Sequence, residues 1–423
     1  MRIFTAELKR FLKTRSVQIT LLLGLLFAVA LAYFPISFES YTYTDEDGQE
    51  VTVEGLEAIR MQRENQGQFH GEITEEKLAE SIDRWHSFEN QYEGGLPDGI
   101  YDDRVSGSDY FQDVYPYEWI LTRMSEAYAE PETGMALSRE ELTEEHADGF
   151  YQQIDQHLSD LLYLENGTGK KVDAAVSQAK TLYEQIDRPF YYESGISSNA
   201  VDYTVLIVFL LVILGTILVA PAFSSDYQTQ AEQIIKCTRH GRRKLAVNRI
   251  LAALLIVTVE YFLCTGIFLL IMDTAFGWES LKTSVQALLS VAVFLPVNIW
   301  ELQILIILGG YISLLATICF TLFLSGRMKK IFSSSILALV FLFLPLLLYI
   351  MANGNVGNWL RCLLPSSGVG LNNSLTYALL DTKFVFAGDM AVWIPFVMVG
   401  AAAVETVVFF LFAVRDWCGK SKG

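Results

Sequence analysis

Six long apolar runs constrain this chain more than any other feature. They lie near residues 17–37, 203–223, 247–272, 302–325, 331–351 and 391–413. Each is close to the roughly 20 helical residues needed to cross a hydrocarbon core of about 30 Å. In lipid, every backbone polar group must be satisfied within its own segment, so these runs are read as helices. The expected fold class is an all-α polytopic membrane protein with six transmembrane helices and a mainly helical extracytoplasmic domain inserted after the first.

Charge divides the chain in two. Residues 38–200 carry 36 Asp and Glu against 11 Lys and Arg, while the rest carries 12 acids against 20 bases, which gives the overall −17. Seventeen of those 20 bases flank the runs on one side. Arg2, Lys9, Arg10, Lys13 and Arg15 precede the first, and Lys236, Arg239, Arg242, Arg243, Lys244 and Arg249 lie between the second and third. Arg327, Lys329 and Lys330 separate the fourth and fifth, and Arg415, Lys420 and Lys422 follow the last. The positive-inside rule makes that face cytoplasmic. Both termini then belong in the cytoplasm, and the acidic domain, residues 38–200, belongs outside. The first run is too long for a signal-peptide core and Tyr33–Ser37 lacks small-x-small cleavage chemistry, so an uncleaved anchor is expected.

The remaining segments follow from periodicity and punctuation. Residues 1–16 are read as a cytoplasmic amphipathic helix with Phe4, Leu8, Phe11 and Leu12 on one face. This stretch either lies along the inner leaflet or acts as a basic flank that sets topology. Within the acidic domain, Ser138-Arg-Glu-Glu141 reads as a capping box starting a helix that runs to about Tyr163. Further helices are expected over Glu75–Tyr92, capped by Thr74, and over Lys170–Ile186, with Gly94–Gly107 as loop. Residues 284–299 carry Pro296 and Asn298, and a full crossing there would put the 327–330 bases on the wrong side. They are read as an outer re-entrant segment, and 352–390 as an outer loop that dips towards the membrane.

Catalytic and cofactor motifs are absent. No phosphate-binding G-x-x-x-x-G-K-[ST], no H-E-x-x-H and no G-x-S-x-G occurs. The five cysteines (237, 264, 319, 362 and 418) are scattered and none falls in the acidic domain, so neither a disulfide framework nor a metal centre is expected. Two acids lie inside apolar runs, Glu260 in the third and Glu405 in the sixth. Counted from Arg249 and Arg415, they sit about 16 Å and about 15 Å deep. A mid-membrane acid costs roughly 2.5–3.5 kcal/mol and therefore faces a bundle interior or a cavity. Two roles stay open for them: contacts in a translocation path, or protonated side chains bonded across a helix or subunit interface.

The loop 224–246 combines bases with an apolar stripe of Tyr227, Ala231 and Ile234 or Ile235, followed by a break at Gly241. With its acid (Asp226), apolar pair (Ile234, Ile235), Thr238, a base at Arg242 or Arg243 and Arg249 before the next run, it resembles the loop of ABC-2-type permeases of bacterial ABC transporters. The order of basic start, one span, outer domain and five spans is similar too. The likeness covers about 60% of the chain. It departs from the family pattern at Asp226, where Glu is usual, and at Gln228-Thr229, near which Gly-Thr is common.

The resemblance implies that residues 226–240 form a coupling helix that fits a groove on a separate ABC ATPase subunit. It also implies a second permease subunit across the pathway, with ATP and Mg held by the partner ATPase and no cofactor in this chain. The expectation is thus a permease subunit, an exporter, embedded among the lipids of a bacterial cytoplasmic membrane, itself no enzyme and with no nucleic-acid partner. The alternative is a non-transporting surface protein of the same one-plus-five layout, a secretion accessory or a receptor.

Overall fold

A computed structural model describes residues 2–96, 99–352 and 354–419. Pro97, Asp98, Lys420 and Lys422 lie outside the described residues. The chain is mostly helical with little sheet. Six helices are long and apolar enough to cross a membrane: Arg15–Phe38, Ser198–Gln228, Arg243–Phe276, Ile299–Arg327, Ile331–Met351 and Ile394–Cys418. They make this a membrane-embedded protein, and they are called the first to sixth spans below.

The spans alternate in direction, so two ends of the bundle are distinct. At one end, the N-terminal helix Arg2–Lys13 packs on the start of the third span through Phe4, Glu7, Leu8 and Phe11. Leu12 falls off that face and is exposed. At the other end stands the acidic domain, residues 38–200. Its core includes Trp85, Phe88, Leu121, Phe150, Ile154, Leu158 and Val172. That core does not stop at the domain boundary, because Phe294, Phe384, Trp393 and Ile394 from the bundle's own loops are buried in the same cluster. Domain and bundle are therefore packed together rather than tethered.

Several local readings are revised. The capping box at Ser138 is present, but it starts a single 3-10 turn, Arg139–Glu141. A second box, Thr143 with His146, opens the short helix Glu144–Asp148, and the long helix begins only at Phe150. Gly149 marks the join, where a Cβ would lie 3.0 Å from the Tyr128 hydroxyl. The helix at Glu75 ends at Glu89 with Thr74 accepting from the Lys77 amide, and that at Lys170 ends at Tyr183. An antiparallel hairpin, Ser40–Thr44 paired with Glu50–Glu54, leads the domain. Its alternating Tyr41/Tyr43 and Val51/Val53 around Asp45-Glu-Asp-Gly48 are a strand signal that the helical reading passed over.

Residues 284–299 form a four-residue helix, Val285–Leu288, and an extended return joined by a bridge between Ser284 and Asn298. The acidic domain covers it: the Tyr183 hydroxyl donates to the Val291 carbonyl at 2.8 Å, and Arg123 donates to the Leu289 carbonyl. The deeper excursion belongs to the segment after the fifth span. There Ser366 Oγ donates to the carbonyls of Phe341 and Leu342 at 3.1 Å, and Thr317 Oγ1 to the Pro365 carbonyl at 3.1 Å. Those partners sit in the middle of the fourth and fifth spans, so residues 363–368 run alongside them.

Candidate functional site

The segment that leads from the second span to the third is built from two short helical pieces. Pro221, at a first helical turn where a missing amide hydrogen costs nothing, opens Pro221–Gln228. Gln230 then adopts φ 60, a left-handed conformation, and turns the chain into Ala231–Cys237. At Gly241 a Cβ would overlap the Ile235 carbonyl, so only glycine closes this return. The Gly241 carbonyl accepts from Trp417 Nε1 at 3.0 Å, which fastens the loop to the end of the sixth span.

At the centre of this end lies Arg249, 1% exposed. Its Nε donates to Glu7 Oε2 at 2.8 Å, and its Nη1 to Asp226 Oδ2 at 2.5 Å and to the Ala222 carbonyl at 3.1 Å. Arg10 adds bonds to Asp226 Oδ1 at 3.3 Å and to the Ala222 carbonyl at 3.0 Å. The rings of Phe223 and Trp417 lie 5.1 and 5.3 Å from the Arg249 guanidinium. Two acids and two arginines thus balance each other in a buried clasp that joins the N-terminal helix with the second, third and sixth spans.

The predicted coupling residues separate into two groups. Asp226 is buried in the clasp, and Tyr227 packs edge-on against Trp417 while its hydroxyl meets Lys236 Nζ at 3.2 Å. Ala231 is half-buried, and Ile235 packs against the bundle core. Thr238 bonds back to the Ile235 carbonyl at 2.7 Å. Ile234 alone of the apolar stripe points away, 76% exposed, and Arg242 and Arg243 are exposed beside it. Ile234 is therefore the one member of the apolar stripe on the free surface of this loop, among exposed polar and basic residues.

The mid-bundle acids have a different environment. Glu260 is 5% exposed, and neither carboxylate oxygen has a hydrogen-bond partner among the described residues. It faces the first span at Gly24, where a Cβ would lie 2.8 Å from Glu260 Oε1, so the missing side chain makes the notch that holds the carboxylate. Glu405 is half-buried, one turn from the buried Ala402 and from Phe409, which packs on Phe320 of the fourth span. Its Oε2 is also unpartnered.

Comparison with family models, with curated proteins and with solved structures gives no match.

Sequence reasoning missed several polar residues. Glu7 is the one acid in the N-terminal helix and falls on its apolar face between Phe4 and Phe11, a signal that it has a buried partner. Asp273 is fully buried near the acidic-domain end of the third span and accepts from Gln303 Nε2 at 3.0 Å. It lay one residue beyond the run read as 247–272. No group of three or more His, Cys, Asp or Glu able to hold a metal occurs among the described residues.

Proposed function

We propose that this chain is the membrane-spanning permease subunit of an ABC transporter, an exporter energised by a separate ATPase subunit. The observation that carries the reading is the short helix Ala231–Cys237, which presents Ile234 at the end of the bundle opposite the acidic domain and is followed by the exposed bases Arg239, Arg242 and Arg243. An exposed apolar side chain on a helix braced from behind by a buried ionic clasp is the form of a docking knob that transmits a push. That helix is held to the bundle by Ile235 packed on the core, by Lys236 against the Tyr227 hydroxyl and by Gly241 bonded to Trp417, next to the clasp of Asp226, Arg249 and Glu7, so in this reading a push on Ile234 is passed to the second, third and sixth spans.

In this reading the termini and the loop 229–242 face the cytoplasm, where the ATPase supplies ATP and Mg, and the acidic domain faces outward from a bacterial cytoplasmic membrane. The positive-inside distribution of bases supports that orientation. A second permease subunit, identical or homologous, completes the pathway against the lipid-exposed helices. Half-buried Glu405 is its intramembrane polar contact, while Glu260 stays enclosed against the first span of its own chain.

The test is co-purification from native membranes. Ile234→Asp is expected to abolish recovery of the ATPase while leaving the thermal unfolding midpoint unchanged. Retention of the ATPase by that variant overturns the proposal. Ile235→Asp, which reaches the core, serves as the destabilising control.

A further inference from the structure

Where the acidic domain meets the first and second spans, a cavity of about 340 Å³ opens between Glu39, Gln62, Gln66, Tyr115, Trp119 and Tyr192. Its volume is at the small end of the range typical of small-molecule sites, about 300–1,000 Å³. One wall is aromatic: Trp119 stacks on Tyr192 with ring centroids 3.7 Å apart, and Trp119 Nε1 has no acceptor among the described residues. The glutamines are held in place. The Tyr192 hydroxyl donates to Gln66 Oε1 at 3.1 Å, and Gln62 Nε2 donates to the Ser40 carbonyl at 3.0 Å and to Glu39 Oε2 at 3.2 Å.

The charges lining this cavity leave one acid over. Arg123 is paired with Glu126 at 2.8 Å, and Glu118 with Arg139 at 2.8 Å. Glu39 is met by neutral donors alone, the Gln62 amide and the Ser197 hydroxyl, and has no ion-pair partner among the described residues. Burial raises its carboxyl above the usual range, as expected of a carboxylate short of counter-charge. An unpaired carboxylate facing aromatic rings is the environment that attracts an ammonium group, through direct charge and through the negative faces of the rings.

We propose that this cavity binds a small organic cation, an amine or quaternary ammonium with an apolar body, with Glu39 as its counter-charge and Trp119 and Tyr115 as its aromatic walls. The site lies where such a ligand can act on the bundle. Glu39 caps the end of the first span, Ile196 and Ser197 precede the second, and Ala287 and Leu288 belong to the covered hairpin. An occupant touches all three, so its binding biases how the spans sit beneath the domain.

The proposal is independent of the ATPase reading and is tested on the full chain alone in detergent. Three cations (tetramethylammonium, benzyltrimethylammonium and phenethylamine) are titrated beside the neutral benzyl alcohol and the anion benzoate, with thermal midpoint and tryptophan fluorescence as readouts. At least one cation is expected to bind saturably, raising the midpoint and changing the fluorescence, while benzyl alcohol and benzoate do neither. E39Q is expected to weaken that cation tenfold or more, and W119L to remove the fluorescence response. Saturable binding by none of the cations, equal binding of benzyl alcohol or benzoate, or full affinity in a folded E39Q overturns the proposal. The wild-type ligand comparison stands even where a variant fails to fold.

Discussion

The acids of the membrane bundle fall into two regions that obey opposite rules. At the end bearing the termini, Glu7 and Asp226 are each within ion-pair distance of Arg249 and Arg10, in a cluster with no net charge. In the middle of the bundle, Glu260 and Glu405 have no base within reach and leave carboxylate oxygens unpartnered among the described residues. Burying an ion is expensive, and a matched partner offsets the cost only where the geometry is good. The paired region is therefore a brace whose loss is felt in stability. The unpaired region retains a cost that the fold tolerates, which is where a change of protonation or of contact has something to act upon.

The largest expected effect breaks the brace. Arg249→Met leaves two carboxylates facing Arg10 alone and should destabilise the chain by about 3–5 kcal/mol, read as the unfolding free energy in detergent. Neutralising Glu7 and Asp226 as well, with Gln and Asn, should recover most of that loss. A single-variant loss under about 1 kcal/mol would show that the clasp is only decorative at this end, since even exposed pairs reach that size.

A smaller effect sharpens the contrast in the middle. Gly24→Leu places a side chain in the notch occupied by Glu260 and should cost about 1–3 kcal/mol by overpacking. Glu260→Ala opens the same space, so the double variant should regain much of the stability, a coupling that a double-mutant cycle measures directly. Simple additivity would mean that the two residues do not share the site. Smaller still, Gln230→Gly relieves a left-handed backbone that costs roughly 1–2 kcal/mol for a residue with a side chain, offset in part by the glycine's greater freedom when unfolded. A modest rise in the midpoint is expected. A fall would indicate that the Gln230 side chain carries an interaction of its own.

Hydropathy made the six helices legible because lipid leaves a long apolar run no alternative to helix. The hairpin 40–54 was not legible because its period-2 alternation of Tyr and Val spans only five residues a strand and is set among acids. The broken helix at 139–166 shows how a capping box marks a start without fixing a length: Gly149 sits tight against the Tyr128 hydroxyl, a constraint from another part of the chain that no local pattern records. The loop 224–246 was legible as a segment, and Ile234 is the exposed member of its apolar stripe. Its division into a buried half and an exposed half was not legible, because Asp226 and Arg249 are bonded to Arg10 and Glu7, more than two hundred residues away. The pocket at Glu39 draws on five separated segments, and no spacing in the sequence announces it.

The central claim, that the loop between the second and third spans docks on an ATPase, has a direct test in a native side chain. Cys237 closes the helix that bears Ile234 and is the one exposed cysteine among the described residues. A maleimide carrying a photoreactive group, attached there in native membranes and then illuminated, should yield one dominant adduct. The account predicts that mass spectrometry finds in it a protein with a phosphate-binding loop, and that Ile234→Asp removes the adduct. An adduct containing only a second copy of this chain, or labelling of Cys237 by a membrane-impermeant maleimide added outside intact cells, would contradict it.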